Sequence, residues 1–196
     1  MKLGLIVEDD EQEAVLSKLA SRIGNQSNCP LDISKNRVRM SKGFGDICKR
    51  LQVYVDLLRN VEAEIIIIVV DNERYPLNER LNSLRSKISQ VNPPIPVAVA
   101  VAVQTIEAWL LADVGALNST LGTTQISQLP FPSKIKYPKE KFIQIVKQYG
   151  NQPVSSSLCS EIADKSDKKV LDNNCKSFQH FHDELKNCLR AQSITT

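Results

Sequence analysis

The chain has 196 residues, of which 42% are hydrophobic, and its formal net charge at pH 7 is +3. A chain of this length and composition can bury one good core, which argues against a disordered or fibrous protein. Its five cysteines are odd in number and form no CxxC pair, which argues against a disulfide framework or a zinc site.

No basic and apolar leader precedes the first strand-like segment, so we do not expect a secretory signal. The longest apolar run, residues 95–112, is interrupted by Pro96, Gln104, Thr105 and Glu107. These interruptions argue against a membrane span. We therefore expect a cytoplasmic protein that does not act at a membrane.

The first half of the chain alternates between strand and helix patterns. The strand-like segments are residues 2–7, 31–40, 64–70 and 95–103. Between them, apolar residues repeat at helical spacing in three segments, from Val15 to Ile23, from Ile47 to Leu58 and from Leu77 to Val91. This alternation predicts an α/β fold with a mostly parallel, Rossmann-like sheet of about four strands flanked by helices.

The fourth strand-like segment, IPVAVAVAV, places valines on one face and alanines on the other. Because both faces are apolar, we expect helices to cover both of them. The small alanine side chains should let one helix approach the sheet closely, whereas the valines should fill a deeper layer.

The pattern changes near residue 118. A stretch rich in Ser, Thr and Gly, with three prolines from Pro130 to Pro138, is typical of a loop. Helical segments follow over residues 139–149 and after Ser177, which is expected to cap the last helix. We therefore divide the chain into an α/β core, residues 1–117, and a loop and helical C-terminal extension, residues 118–196, packed on that core.

Acidic residues follow three of the predicted strands. They are Glu8 after the first strand, Asp71 and Glu73 after the third, and Glu107 after the fourth. In an open parallel sheet, ligands bind outside the carboxyl ends of the strands because the crossover loops converge there. Asp10 and Glu13 have the spacing of a capping box, so we assign them to the start of the first helix.

Each acidic cluster also has a purely structural explanation. Asp71 and Asn72 favour turns. Glu107 is the only charged residue between Lys87 and Asp113, on a helix with apolar residues on nearly all sides, so its carboxylate needs a partner. That partner is either a nearby Arg or a divalent metal, and three acidic clusters on one sheet edge favour the metal. Carboxylates without Cys or clustered His select Mg²⁺ or Mn²⁺.

Two basic stretches, residues 35–50 and 134–147, suit a polyanion, although solvated surfaces explain them equally well. The candidates for contacting nucleic acid are Arg74, which could neutralise a phosphate beside the acidic pair, and Arg37, Arg39, Lys134 and Lys136. The two histidines, His180 and His182, have polar neighbours and are expected at the surface.

The opening IVEDDE resembles the acidic pocket of response-regulator receiver domains, which bind Mg²⁺ beside a phosphoacceptor Asp after the third strand. In this resemblance Asp71 is the phosphoacceptor and Thr105 is the switch hydroxyl. The spacing from Asp9 to Asp71 is longer than a receiver normally has, and no Lys-Pro pair follows a fifth apolar strand. A receiver-like phosphoacceptor domain is therefore a remote alternative.

A second resemblance is to TOPRIM-type domains, in which a Glu follows the first strand and an Asp-x-Asp pair follows the third. Those positions are here Glu8 and the pair Asp71 and Glu73. The order of IVED, VVDNER, VAVQTIEAWLLAD and CKSFQHF resembles, over nearly the whole chain, the TOPRIM-related bacterial family catalogued as domain of unknown function four-two-seven-six. The family's Glu-Gly-x-Thr-Glu is replaced here by Glu8-Asp9-Asp10-Glu11-Gln12.

The TOPRIM resemblance implies a TOPRIM-like fold and Mg²⁺-dependent phosphoryl transfer on DNA or RNA. It also implies an ATPase partner, because such families commonly accompany an ATPase in mobile or phage-defence gene sets. A non-catalytic TOPRIM-like binding partner of an ATPase is the alternative.

Our hypothesis from the sequence is a Mg²⁺-dependent nuclease or related phosphotransferase. Asp71 and Glu73 hold the metal, Glu107 completes that site or holds a second ion, and Glu8 is a ligand or a general acid/base. No motif places a tyrosine as nucleophile, so water is the expected attacking group.

Overall fold

The computed structural model describes residues 1–72 and 75–193, and its centre is a parallel sheet of four strands. The strands are β1 (Lys2–Val7), β2 (Asp32–Met40), β3 (Ile65–Asp71) and β4 (Val97–Ala102). They lie in the order β2-β1-β3-β4, and each neighbouring pair is parallel. The predicted α/β class with a mostly parallel sheet is confirmed. The strand order reverses direction between β1 and β3, where open α/β sheets bind their ligands.

Nine α-helices and one short 3₁₀ helix accompany the sheet in the described residues. The α-helices are α1 (Asp10–Gln26), α2 (Phe44–Asn60), α3 (Leu77–Val91), α4 (Glu107–Leu110), α5 (Val114–Leu121), α6 (Pro138–Tyr149), α7 (Ser156–Lys165), α8 (Lys168–Asn174) and α9 (Lys176–Ser193). The 3₁₀ helix is Pro132–Lys134. In the part of the chain that is described, no helix combines the length and the apolar character needed to cross a bilayer.

Helices cover both faces of the sheet, as predicted. On one face, α1 packs on β1 and α9 on β4, and α7 packs against α1 in the same core, which includes Leu5, Ile67 and Ala100. On the other face, α2 and α3 pack over residues such as Ile68 and Val99. The alanines of β4 lie on the first face, where α9 packs against β4, so the prediction of a helix over the alanine face is confirmed.

The first helix begins one residue earlier than the capping box predicted. Asp9 has an extended backbone and its Oδ1 accepts a hydrogen bond of 2.8 Å from the Gln12 N–H, so Asp9 is the N-cap. The predicted pairing of Asp10 with Glu13 is therefore wrong. Glu13 is instead largely buried and forms an ion pair with Lys35, with 2.6 Å between Oε1 and Nζ.

The C-terminal half is more regular than the sequence indicated. Residues 118–121 belong to helix α5, which Asp113 caps by accepting a 3.0 Å hydrogen bond from the Ala116 N–H. Gly122 ends this helix with a φ of 66°, a left-handed conformation that suits glycine. The predicted loop therefore starts later than residue 118, since a buried cap on one side and a glycine on the other define one more helix.

Two predictions about α9 are wrong. Ser177 is the second residue of this helix, and its Oγ accepts a 2.9 Å hydrogen bond from Trp109 Nε1–H in the core. His182 is buried, and its Nδ1 lies 3.0 Å from Asp172 Oδ1, because a neighbouring helix supplies a carboxylate that the local sequence does not reveal. His180 lies closer to the surface and contacts Arg85.

An acid on α9 satisfies the backbone of β4, which lies at the edge of the sheet. Glu184 Oε2 accepts a 2.8 Å hydrogen bond from the Val99 N–H. The other oxygen, Oε1, lies 2.5 Å from Arg85 Nη2 on α3. A single carboxylate thus connects helices from both faces of the sheet to its edge strand.

We predict that Ala100→Leu destabilises the fold, because the larger side chain would force α9 away from β4. Overpacking of this kind should lower the midpoint of thermal unfolding by about 2–10 °C. Circular dichroism would measure this midpoint, with Ala191→Leu on the exposed side of α9 as the matched control. Equal midpoints for the two variants would contradict the close packing of α9.

Candidate functional site

A cleft with a volume of about 1200 Å³ opens at the carboxyl edge of the sheet. The loops after β1, β3 and β4 line it together with the segment that leads into α6. Glu8 and Asp71 both lie in its lining, one on each side of the point where the strand order reverses. The prediction that the ends of these strands meet in one ligand-binding position is consistent with this geometry.

Asp71 is the last residue of β3 and is held firmly by the strand that precedes it. Residues Ile65–Val70 are fully buried, and Asp71 pairs in register with Ala102 of β4. A shift of one residue would turn the apolar side chains of β3 to the wrong faces, so the register is strongly specified. The position of the Asp71 carboxylate is therefore set by the core of the protein.

One oxygen of the Asp71 carboxylate lacks a hydrogen-bond donor within the described residues. Its Oδ1 is shielded from solvent and has no hydrogen-bond partner among residues 1–72 and 75–193. Burial raises the pKa of Asp71 to about 8, and the negative charges of Glu8, Glu107 and Asp9 contribute to this rise, while Lys139 opposes it. At neutral pH the group consequently holds its proton unless a cation enters the cleft.

Asn72, the next residue, has the structural role that turn chemistry predicted for both residues. Its backbone N–H donates to the Ala102 carbonyl at 2.9 Å, and its Nδ2 donates to the Tyr75 carbonyl at 2.7 Å. Its Oδ1 accepts a hydrogen bond from the Gln104 N–H. The structural explanation therefore accounts for Asn72 and does not account for Asp71.

Glu107 is buried at the start of α4 and has found a basic partner. Its side chain is 4% exposed, and its Oε1 lies 3.6 Å from Lys139 Nζ on α6. Partial burial works to lower the pKa of Lys139, but the charges of Glu107, Asp9 and Glu11 outweigh it and hold that pKa above its ordinary value. Glu107 therefore forms a salt bridge, which is the structural one of the two explanations that the sequence allowed. The basic partner is a lysine and not the expected arginine.

Glu8 lies where the N-terminal ends of two helices approach the cleft. Its backbone N–H donates to Gln12 Oε1 in the first turn of α1 at 2.9 Å. Gly43, the N-cap of α2, has a φ of 88°, and a Cβ at this position would lie 3.8 Å from Glu8 Oε2. Helix N-termini carry partial positive charge, so an acidic side chain is well placed here.

The predicted nucleic-acid contacts separate into two groups. Lys136 lines the cleft, and Lys134 is exposed on the 3₁₀ helix that precedes it. Arg37 is instead buried, with its Nη2 2.6 Å from Asp32 Oδ2, and Arg39 donates to backbone carbonyls of β2 and α2. Both arginines are therefore committed to interactions within the protein.

Two predicted site residues lie outside the residues that the structure describes. They are Glu73, predicted as a metal ligand, and Arg74, predicted to contact a phosphate. Both assignments stay predictions.

Three residues of the cleft were not selected from the sequence. Tyr75 follows β3, while Tyr137 and Lys139 flank Pro138 at the start of α6. Lys139 belongs to a basic stretch that the sequence did reveal, and Pro138 is a signal for a helix start, but the packing of α6 beside Glu107 depends on contacts distant in sequence. No local signal distinguishes these tyrosines from ordinary surface residues.

The carboxylates of the cleft suit Mg²⁺, which keeps part of its water shell. They suit a metal ion less well if all of its ligands must come from the protein. Within the described residues, no three Cys, His, Asp or Glu side chains form a group that could hold a metal ion. Mg²⁺ usually retains several waters and binds through one or two carboxylates together with substrate phosphates. Asp71, with its shielded and unpartnered oxygen, and the neighbouring Glu8 provide such a pair.

No protein-family model matches this chain, and neither does any curated protein or solved structure. The interpretation of the cleft therefore depends on its own geometry and charges.

We predict that Asp71→Asn stabilises the fold, relative to the native chain, by more at pH 8 than at pH 5. The native carboxyl has a pKa of about 8, against an ordinary value of 3.8, so the folded state binds more protons than the unfolded state between these values. The contribution of Asp71 to the free energy of unfolding therefore falls as the pH rises from 4 to 8. Asparagine does not titrate, so the variant does not lose stability in this way. Thermal unfolding measured from pH 5 to pH 9 would show the two curves diverging.

The control is Asp56→Asn, which changes an exposed carboxylate on α2. Its unfolding midpoint should follow that of the native chain throughout this pH range. Parallel curves for Asp71→Asn and the native chain would refute the raised pKa of Asp71.

Proposed function

We propose that this chain is a Mg²⁺-dependent phosphoryl-transfer enzyme that cleaves DNA or RNA in the acidic cleft. The observation that carries the proposal is Asp71, a partly buried carboxylate with one shielded oxygen, Oδ1, that has no hydrogen-bond partner in the described residues, and whose charge other carboxylates oppose. Such an arrangement is unfavourable for the fold alone and is favourable when a cation binds. Lys136 and Lys139 lie in the same cleft and suit a phosphate.

The residues of the cleft take different roles in this proposal. Asp71 and Glu8 bind the cation, and the rigid end of β3 keeps Asp71 in place. The second carboxylate oxygen of Glu8 accepts the proton of the attacking water, whose oxygen bonds to phosphorus while the P–O bond to the leaving oxygen breaks and the leaving oxygen takes a proton from solvent. When bound, Mg²⁺ polarises the phosphodiester and stabilises the charge that develops on its oxygens.

Lys139 binds a phosphate oxygen in this proposal, and Glu107 orients it through their ion pair. The prediction that Glu107 is a metal ligand is not part of the proposed mechanism, because Lys139 accompanies its carboxylate. Arg37 and Arg39 are also left out, since their guanidinium groups are bonded within the protein. Lys134 and Lys136 remain candidates for guiding the strand.

The resemblance to TOPRIM-type domains supports the same assignment, since Glu8 and Asp71 occupy the positions of the acids that those domains use. An ATPase partner and a place in phage defence rest on that resemblance alone. The second function consistent with it is non-catalytic, with the cleft serving to bind a partner. The cleavage experiment below separates the two.

The receiver-like alternative has two observations in its favour. The order β2-β1-β3-β4 is shared with flavodoxin-like sheets, and Thr105 Oγ1 is buried without a hydrogen-bond partner in the described residues, in the same cleft as Asp71. A phosphoryl group found on Asp71 by mass spectrometry after treatment with acetyl phosphate would favour this alternative.

We predict that the purified chain cleaves plasmid or single-stranded DNA, or RNA, in the presence of Mg²⁺ or Mn²⁺ and not in EDTA. Asp71→Asn and Glu8→Gln should each reduce the cleavage rate by at least about 100-fold, because each removes a charge that binds the cation. Gel analysis of end-labelled substrates would measure the rates. Lys139→Met should weaken substrate binding more than it affects cation binding.

The control for cleavage is again Asp56→Asn, which should retain the native rate. Cleavage that survives both Asp71→Asn and Glu8→Gln would refute the assignment of the site. Absence of cleavage on all of these substrates, with cation binding intact, would favour the non-catalytic function.

We also predict that Mn²⁺ binds more tightly as the pH rises toward 8. Cation binding must displace the proton of Asp71, whose pKa is about 8, so affinity should increase by about tenfold per pH unit below that value and level off above it. Electron paramagnetic resonance of free Mn²⁺ would measure the affinity at pH 6, 7, 8 and 9. The same affinity at pH 6 and pH 8 would show that Asp71 is not a ligand.

A further inference from the structure

Two tyrosines at the acidic cleft have no role in the proposed chemistry. Tyr75 follows β3 and is 49% exposed, and Tyr137 precedes α6 and is 54% exposed. Both line the cleft that contains Asp71. Exposed tyrosines are enriched where proteins bind ligands, because the ring offers a large apolar surface with a polar end.

Tyr75 is fixed in position before any ligand arrives. Its backbone N–H donates to the Asn72 carbonyl at 2.9 Å, and its own carbonyl accepts from Asn72 Nδ2 at 2.7 Å. The Arg80 guanidinium lies 3.9 Å from the centroid of the Tyr75 ring and 4.1 Å from the centroid of the Phe44 ring. Phe44, Arg80 and Tyr75 thus form a stacked column that ends at the cleft.

The Arg80 guanidinium covers part of the Tyr75 side chain, and about half of the residue stays exposed. The guanidinium stabilises one side of the ring by a cation–π interaction, and it leaves a large part of the residue open to solvent. A ring that is already ordered loses little conformational entropy when a flat group stacks on it.

Tyr137 combines a ring with a neighbouring positive charge. Lys136 Nζ lies 5.1 Å from the centroid of the Tyr137 ring, and both residues line the cleft. Pro138 begins α6 immediately afterwards and disfavours a helical backbone at Tyr137, which has a φ of −135° and a ψ of 79°. An aromatic surface and an ammonium group are therefore presented side by side, which suits a base and its phosphate.

We propose that Tyr75 and Tyr137 stack on unpaired bases, so that the substrate of the cleft is single-stranded nucleic acid. This inference rests on the proposed function and specifies its substrate. Base faces are open to stacking in single strands, loops and ends, whereas in a duplex they are stacked on each other. The cleft, at about 1200 Å³, exceeds the roughly 300–1000 Å³ of a typical small-molecule pocket and has room for a phosphate with neighbouring bases.

The test is fluorescence anisotropy of a labelled 15-nucleotide thymidine strand with the full chain in EDTA, where cleavage cannot occur. Tyr75→Ala and Tyr137→Ala should each weaken binding by about 5- to 100-fold, the range measured for loss of one base–aromatic stack. Tyr75→Phe and Tyr137→Phe retain the ring and should bind like the native chain. Phe131→Ala, which removes an aromatic residue that is 60% exposed and lines other cavities, is the matched control.

Competition with two unlabelled strands shows whether bases or phosphates are recognised. An abasic 15-mer has the same phosphates without bases, and a 15-base-pair duplex has bases that are already stacked. Both should compete at least about tenfold less well than the unlabelled thymidine strand. Equal competition by the abasic strand, native affinity of both alanine variants, or absence of binding would overturn the inference.

The phenylalanine variants also keep this inference separate from the cleavage mechanism. If Tyr75→Phe and Tyr137→Phe bind normally but lose cleavage, stacking is supported and a tyrosine hydroxyl also takes part in the chemistry. If neither the native chain nor any variant cleaves but binding depends on both rings, the catalytic function is refuted. The preference for single strands is then still supported. Cleavage of duplex by a chain whose alanine variants bind normally supports catalysis and refutes stacking.

Discussion

The site depends on one unfavourable electrostatic constraint, the burial of Asp71 beside other carboxylates. The seven residues of β3 and its register with β4 decide where this carboxylate lies. A fold normally avoids such a group or pairs it. Here the described residues leave one of its oxygens unpaired, and in the proposed function a bound cation would offset the free energy of this defect.

The sequence was most informative where burial is continuous along the chain. The alternating valines and alanines of β4 predicted two covered faces, and the continuous apolar run of β3 predicted a buried strand, because both patterns are local in the sequence. It was least informative where partners come from distant segments. His182 was misplaced because its partner Asp172 lies on another helix, and the ion pair of Glu107 with Lys139 joins residues 32 positions apart. The side chain of Asn72 was correctly assigned to a turn, but the sequence could not separate it from Asp71.

Asp71 and Asn72 are neighbours in one turn but have different roles. Asn72 stabilises the turn, and Asp71 is the residue proposed to act in the chemistry. Asn72 binds the end of β4, the loop after it and the turn before α3, so its three hydrogen bonds hold the backbone that follows Asp71. Within the described residues, the neighbouring Asp71 carboxylate has no comparable structural role. Rigid support next to a chemically active group is what a precise site requires, because small displacements weaken binding.

The hydrogen bond from Val99 to Glu184 affects how this protein meets other proteins. An edge strand with unpaired backbone groups can recruit a strand from another chain, and buried or charged edges prevent this. With Glu184 occupying the backbone of β4 and Arg85 holding that carboxylate, the sheet resists growth on this side. Any strand added by a partner would have to pair with β2, at the opposite edge.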